Sequence, residues 1–146
     1  MNLGMILVLF ILLVIVAQTF LGSSISSEND QPISALYTEG FDVVNETTNY
    51  RFILSSKSGS IEYPASSIIN PRGGSNHFEL QLSRPSNEAS VTYTAYNLGN
   101  QVIGEVKFGF KCVYLLGVRF SSTSTVTNTA PVNISNGNTR IAIINQ

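Results

Sequence analysis

From about residue 33 onward, apolar and polar residues alternate with a period of two, which is the pattern of β-strands with one buried face. No window in this part of the chain carries the i, i+3, i+4, i+7 apolar stripe of an amphipathic helix. The alternation therefore predicts an all-β domain. Its apolar positions are Phe41 and Val43; Tyr50, Phe52 and Leu54; Phe78, Leu80 and Leu82; Val91, Tyr93 and Ala95; and Val106, Phe108, Phe110 and Cys112.

Clusters of Gly, Pro, Asn and Ser separate these segments and predict turns at residues 56–59, 70–74, 84–87 and 127–131. About eight short strands joined by such turns are typical of an antiparallel β-sandwich of the jelly-roll type. We therefore predict a β-sandwich domain over residues 33–146.

Two turn dipeptides predict hairpins with a defined register. A type I′ turn at Asn136-Gly137 would pair Ile134 with Thr139 and Val132 with Ile141. A slip of one residue would move every side chain to the opposite face, so each register is a specific prediction. The pairs predicted around Gly99-Asn100 are Ala95 with Gly104, Tyr93 with Val106, Val91 with Phe108 and Ala89 with Phe110.

Residues 3–22 form an apolar segment whose 20 positions suffice to cross about 30 Å of hydrocarbon as a helix. An uncleaved transmembrane anchor is favoured, because a signal peptide has a basic N-terminal region and a shorter apolar core. Cleavage after the small residues near 22–26 stays open as the alternative. Residues 23–32 are rich in Ser and acidic residues and predict a flexible linker. The Asn/Ser/Thr-rich domain is expected outside the cytoplasm.

Composition excludes several classes of function. Only 12% of the residues are charged, and the eight basic side chains all lie at or after Arg51 without forming a run, which argues against nucleic-acid binding. A single cysteine, Cys112, excludes a disulfide framework and a multi-cysteine zinc site. Because Cys112 continues an apolar face, we predict a buried structural thiol.

The groups that could perform catalysis are isolated in the sequence. His77 is the only histidine, no Gly-x-Ser-x-Gly motif accompanies it, and the carboxylates lie on different segments. We therefore predict a non-enzymatic protein with no catalytic residues, no metal site and no cofactor. Asn45-Glu46-Thr47 and Asn133-Ile134-Ser135 match the glycosylation sequon, but such triplets arise by chance in a chain of this composition.

The loop at residues 70–76 is the best candidate for a ligand-binding surface. Arg72 supplies a cation, Gly73-Gly74 allows close backbone approach, and Tyr63 and His77 flank the loop in sequence. We predict that Tyr63, Arg72 and His77 contact a lipid headgroup or a glycan. A plain inter-strand loop is the alternative, since its composition is ordinary for a turn.

Two resemblances follow from these segments. The stretch GMILVLFILLVIVAQTFLG resembles the hydrophobic segment of the very short sporulation proteins of spore-forming bacteria. The β domain contains, in order, Asn45-x-Thr47, strand 50–54, loop 69–75 before Phe78, and the segments 91–93 and 103–104. This order is similar to that of aegerolysins and actinoporin-like sandwiches. The second resemblance implies a sandwich that binds particular membrane lipids, in some members with partners that complete a pore. It transfers no binding residue, and this chain lacks the Trp residues in which aegerolysins are rich.

Taken together, these features predict a non-enzymatic, membrane-tethered β-sandwich with a structural or adhesive role at the surface of a bacterial cell. Its partners would be the membrane, a lipid or glycan ligand, and further copies of itself. A secreted, aegerolysin-like lipid-binding or pore-forming protein is the alternative. A filament subunit with an apolar helical core is the third.

Overall fold

The computed structural model describes the backbone of residues 2–30 and 37–146, and the side chains of residues 2–16 and 37–146. The chain divides into two compact units, Met1–Leu36 and Tyr37–Gln146. The predicted linker residues 31–32 and the first four residues of the predicted sandwich, 33–36, lie outside the described residues.

In its described residues, 2–30, the first unit forms one helix, α1 (Leu3–Asp30). Residues 23–30, predicted as flexible linker, are helical, because an established helix gains one hydrogen bond for each residue it adds. Thirteen large apolar side chains from Leu3 to Val16 are exposed, by fractions from 37% to 83%. Within the part of the chain whose side chains are described, no helix has both the length and the hydropathy of a membrane span.

The second unit is a two-sheet sandwich of nine strands, which confirms the predicted fold class. The four-stranded sheet has the order β4-β1-β9-β8, and the five-stranded sheet has the order β3-β2-β5-β6-β7. Neighbouring strands are antiparallel except β1 and β9, which are parallel. The strands are β1 (Thr38–Asn45), β2 (Arg51–Gly59), β3 (Ile68–Ile69), β4 (Gly74–Gln81), β5 (Ser86–Tyr96), β6 (Val102–Leu115), β7 (Val118–Asn128), β8 (Val132–Asn136) and β9 (Arg140–Asn145).

The core lies between the two sheets and is built from the alternating positions predicted by the sequence. Phe110 of β6 stacks on Phe41 of β1 with 4.9 Å between ring centroids, and it lies 5.5 Å from Phe78 of β4. Cys112 is fully buried on the same face, which confirms the predicted burial of its thiol. Such aromatic contacts between sheets add to the burial energy and fix how the sheets pack.

Some predicted turns are strand. Residues 56–59 belong to β2, where Ser58 pairs with Ser90 and Gly59 with Ala89 beyond a bulge between Leu54 and Ser56. Residues 127–128 similarly extend β7. Pairing with a neighbouring strand overrides the local turn preference of Ser, Gly and Asn, because it satisfies their backbone groups.

The two predicted hairpin registers have opposite outcomes. All four pairs predicted for β5 and β6 are present, from Ala95–Gly104 to Ala89–Phe110. The β8–β9 register is wrong: Ile134 pairs with Ile143, and Val132 pairs with Asn145. The shift is an even number of residues, so Val132, Ile141 and Ile143 still face the core.

The β8–β9 register differs because Asn136 does not form the predicted turn. Neither Asn136 nor Gly137 has the positive φ that a type I′ turn requires. Asn136 is the last residue of β8, and its Nδ2 donates to Thr125 Oγ1 of β7 at 3.0 Å. The connection is therefore a longer loop, in which the Gly137 N–H donates to Arg140 O at 2.8 Å.

Candidate functional site

The three residues predicted to bind a ligand have separate neighbours. Within residues 37–146, no hydrogen bond, ion pair or ring contact joins any two of them. The exposed Tyr63 ring packs under Lys57, whose Nζ lies 4.4 Å from the ring centroid. Arg72 is exposed at the β3–β4 turn with φ of 64°, and its N–H donates to Thr47 O at 2.8 Å.

His77 lies between two carboxylates on the outer face of the four-stranded sheet. Its Nδ1 is 2.7 Å from Asp42 Oδ1, and its Nε2 is 2.6 Å from Glu79 Oε1. Hydrogen bonds to Glu79 and to Asp42 raise the pKa of His77 above its usual value of 6.5. Burial raises the pKa of Glu79, but hydrogen bonds from His77 and Thr38 outweigh it and leave that pKa lowered. His77 therefore pairs with the two carboxylates beside it on this face of the sheet.

The first of two surfaces that the sequence analysis did not single out is a groove of about 640 Å³ on the outer face of the five-stranded sheet. We call it the serine groove. A Cβ at Gly109 would lie 2.7 Å from Ser124 Oγ, so glycine leaves room for that hydroxyl at the floor. The groove is lined by small residues on four adjacent strands: Ser58, Gly59, Ser90, Gly109, Ser122 and Ser124.

Two lysines and one carboxylate border the serine groove. Lys111 Nζ lies 3.4 Å from Glu88 Oε1, and both side chains are substantially exposed. Lys107 stands on the same face of β6, four residues before Lys111. Hydroxyls and ammonium groups at an open surface can hydrogen-bond a hydroxyl-rich or anionic ligand. His77 lies on the other sheet, so it cannot act as a base for these serines.

The second surface is the hairpin that joins β6 to β7. Its four apolar side chains are exposed by 52% for Leu115, 102% for Leu116, 50% for Val118 and 61% for Phe120. Leu116 and Gly117 both have positive φ, at 52° and 79°, as the two central residues of a type I′ turn require. We call these four side chains the β6–β7 tip. They form an exposed apolar cluster at one end of the sandwich.

A sequence signal for each surface exists in retrospect. Gly109 stands between Lys107 and Lys111 on the outer face of β6, and Leu115-Leu116 breaks the alternation just before Gly117. Neither signal identifies a surface by itself, because the neighbouring strands that complete it are distant in sequence.

The first glycosylation sequon is buried and structural. Asn45 has no exposed surface, and its Nδ2 donates to Tyr50 O at 2.8 Å and to Ile69 O at 3.2 Å. Its Oδ1 accepts from the Thr47 N–H at 3.1 Å and from Thr47 Oγ1 at 2.6 Å. Asn45 therefore connects the end of β1 to the start of β2 and to β3.

No protein-family model and no curated protein sequence matches this chain.

Proposed function

We propose that this protein is a non-enzymatic, membrane-tethered β-sandwich with a structural or adhesive role on the extracytoplasmic side of a cell membrane. The observation that carries the proposal is the exposed apolar surface of α1. The thirteen apolar side chains from Leu3 to Val16 are nearly consecutive, and successive helical residues are about 100° apart, so they cover every face of the helix.

Such a surface is unfavourable in water. Burying apolar area is worth about 25 cal/mol per Å², and each large aliphatic side chain buries enough to contribute roughly 1.5–3 kcal/mol. A bilayer buries all faces of a single helix at once and leaves the backbone hydrogen bonds of the helix intact. The apolar segment 3–22 has the length that this environment needs.

The arrangement of reactive groups supports a binding or structural role. His77 is hydrogen-bonded to a carboxylate on each side, which engages both ring nitrogens. Cys112 is fully buried, and its Sγ accepts a hydrogen bond from Ser121 Oγ at 3.6 Å. The serine groove, in contrast, offers an open polar surface of the kind that recognises a hydroxyl-rich or anionic ligand.

The anchor is tested by expressing the full chain in bacterial cells. The cell membranes are washed with alkaline carbonate and then separated by flotation. We expect the chain to float with the membranes and to keep residues 1–22, as measured by mass spectrometry of the intact protein. Leu9→Arg with Leu12→Arg places two charges near the middle of the segment, where each costs about 2.5–3.5 kcal/mol, and should prevent flotation. A mature chain beginning near residues 23–27 would contradict the anchor and favour a cleaved signal.

A filament subunit is the second candidate, because the same all-round apolar surface would fit a bundle of α1 helices at the centre of a fibre. The two candidates differ in what buries the helix. Filaments would sediment from detergent-free medium as regular fibres visible by electron microscopy, whereas an anchored monomer would be found in membranes without fibres.

A further inference from the structure

We propose that the β6–β7 tip is a second membrane contact, which dips into the interface of the bilayer and holds this end of the sandwich against it. The proposal rests on the proposed membrane tethering and names the part of the sandwich that meets the lipid. The partner that the tip contacts is the surface of a lipid bilayer.

The side chains of the tip are large and apolar. Leu115, Leu116, Val118 and Phe120 are all at least half exposed, although hairpin loops of this length are usually made of Asn, Asp and Gly. Clustered large apolar side chains at the apex of a hairpin reach outward from the domain, so they can enter an apolar phase while the strands stay in water.

The backbone of Leu116 is strained. Its φ of 52° is unfavourable for a residue with a Cβ, and the side chain is fully exposed, so packing within the sandwich does not offset the strain. Glycine or asparagine at this position would suit the turn better. A strained, exposed leucine at the apex of a turn points to a contact outside the domain.

Two tyrosines lie next to the tip. Tyr37, the first described residue of the second unit, packs beside Tyr114 with 6.5 Å between ring centroids. Tyr114 directly precedes the tip, and its N–H donates to Pro85 O at 2.7 Å. The tip therefore lies at the same end of the sandwich as Tyr37.

Aromatic and cationic side chains lie just behind the tip. Tyr37, Tyr114 and Arg84 line a shallow depression of about 320 Å³. Tyrosine is enriched at the level of lipid headgroups, and an arginine guanidinium pairs with phosphate. Apolar side chains at the apex with tyrosines and a cation behind them match the layering of a bilayer surface, which favours lipid over a protein partner.

The absence of tryptophan from the chain allows a direct test with single-Trp variants of the full-length protein. Leu116→Trp places the reporter at the tip. Leu98→Trp is the matched control, since Leu98 is a leucine exposed by 70% in the loop at the other end of β6. The 14 residues of β6 separate the two positions by about 45 Å. Phe120→Trp, an aromatic replacement at an exposed tip position, is a second reporter if Leu116→Trp lowers the urea midpoint.

Each variant is reconstituted into phosphatidylcholine vesicles with and without brominated acyl chains, and flotation verifies incorporation. We expect the tip reporter to shift to shorter emission wavelength and to lose at least half of its intensity to the brominated lipid, while Leu98→Trp changes by less than a tenth. Protein that floats but shows equal or no quenching at the two positions would overturn this proposal and leave the anchor intact. Protein that does not float would overturn the proposed function, and the tip proposal with it.

Discussion

Replacing Asn45 with alanine should destabilise the sandwich by about 2–4 kcal/mol. The fully buried amide makes four hydrogen bonds, two as donor and two as acceptor. After the substitution, Ile69 O and the Thr47 N–H lose these partners, and a buried group left unsatisfied costs about 1–3 kcal/mol. Thr47 Oγ1 lies 3.2 Å from Tyr50 O and can still donate to it, which keeps the total below the sum for four lost bonds.

The measurement is urea unfolding of the sandwich, residues 33–146, followed by circular dichroism. With a slope of about 2 kcal/mol per M, the expected loss lowers the midpoint by about 1–2 M. The second sequon supplies the control, because Asn133 is exposed and its Nδ2 is 3.5 Å from Asn145 O. Asn133→Ala should cost less than about 0.5 kcal/mol. If the two variants were equally stable, the hydrogen bonds of Asn45 would not hold the ends of these strands together.

Three further perturbations have defined outcomes. The raised pKa of His77 stabilises the folded state fully below the unfolded value of 6.5, and this stability is lost as pH rises through the folded pKa. The urea midpoint should therefore fall from about pH 6 to pH 8, and His77→Gln should remove that fall; a parallel fall in the variant would assign it to other groups. Gly104→Ala should destabilise the sandwich by roughly 2–4 kcal/mol in thermal or urea unfolding, because its Cβ would lie 2.6 Å from the Ala130 nitrogen at a φ of 153°; an unchanged midpoint would mean that the loop yields freely. Leu116→Asn should raise stability by about 0.5–1 kcal/mol by relieving the left-handed strain, and a lower midpoint would show that the leucine packs within the domain.

The strands and their buried faces could be predicted from sequence, because alternation is a local property that reports which side of a strand meets the core. The β5–β6 register was predictable for the same reason, since Tyr93 and Val106 stand at equal distances from a glycine-containing turn. Burial of Cys112 followed from its place on an apolar face.

The candidate surfaces could not be predicted in this way. The serine groove draws its lining from β2, β5, β6 and β7, and only the sheet order places these strands side by side. Tyr63, Arg72 and His77 are close in sequence, but each contacts a different partner in the fold. Proximity along a chain that turns between strands is a weak guide to proximity in space.

By itself, the sequence determined the apolar segment, the all-β class and the inward face of each strand, because these depend on the period of hydrophobic residues. Tertiary structure decided the register of β8 and β9, since the hydrogen bond from Asn136 to Thr125 of β7 holds Asn136 in the strand instead of the turn. It also decided that Asn45 is buried. The side chain makes four hydrogen bonds to Thr47, Tyr50 and Ile69, and Ile69 is 24 positions away in the sequence. Local patterns set which face a residue occupies, and contacts between distant strands set what that residue touches.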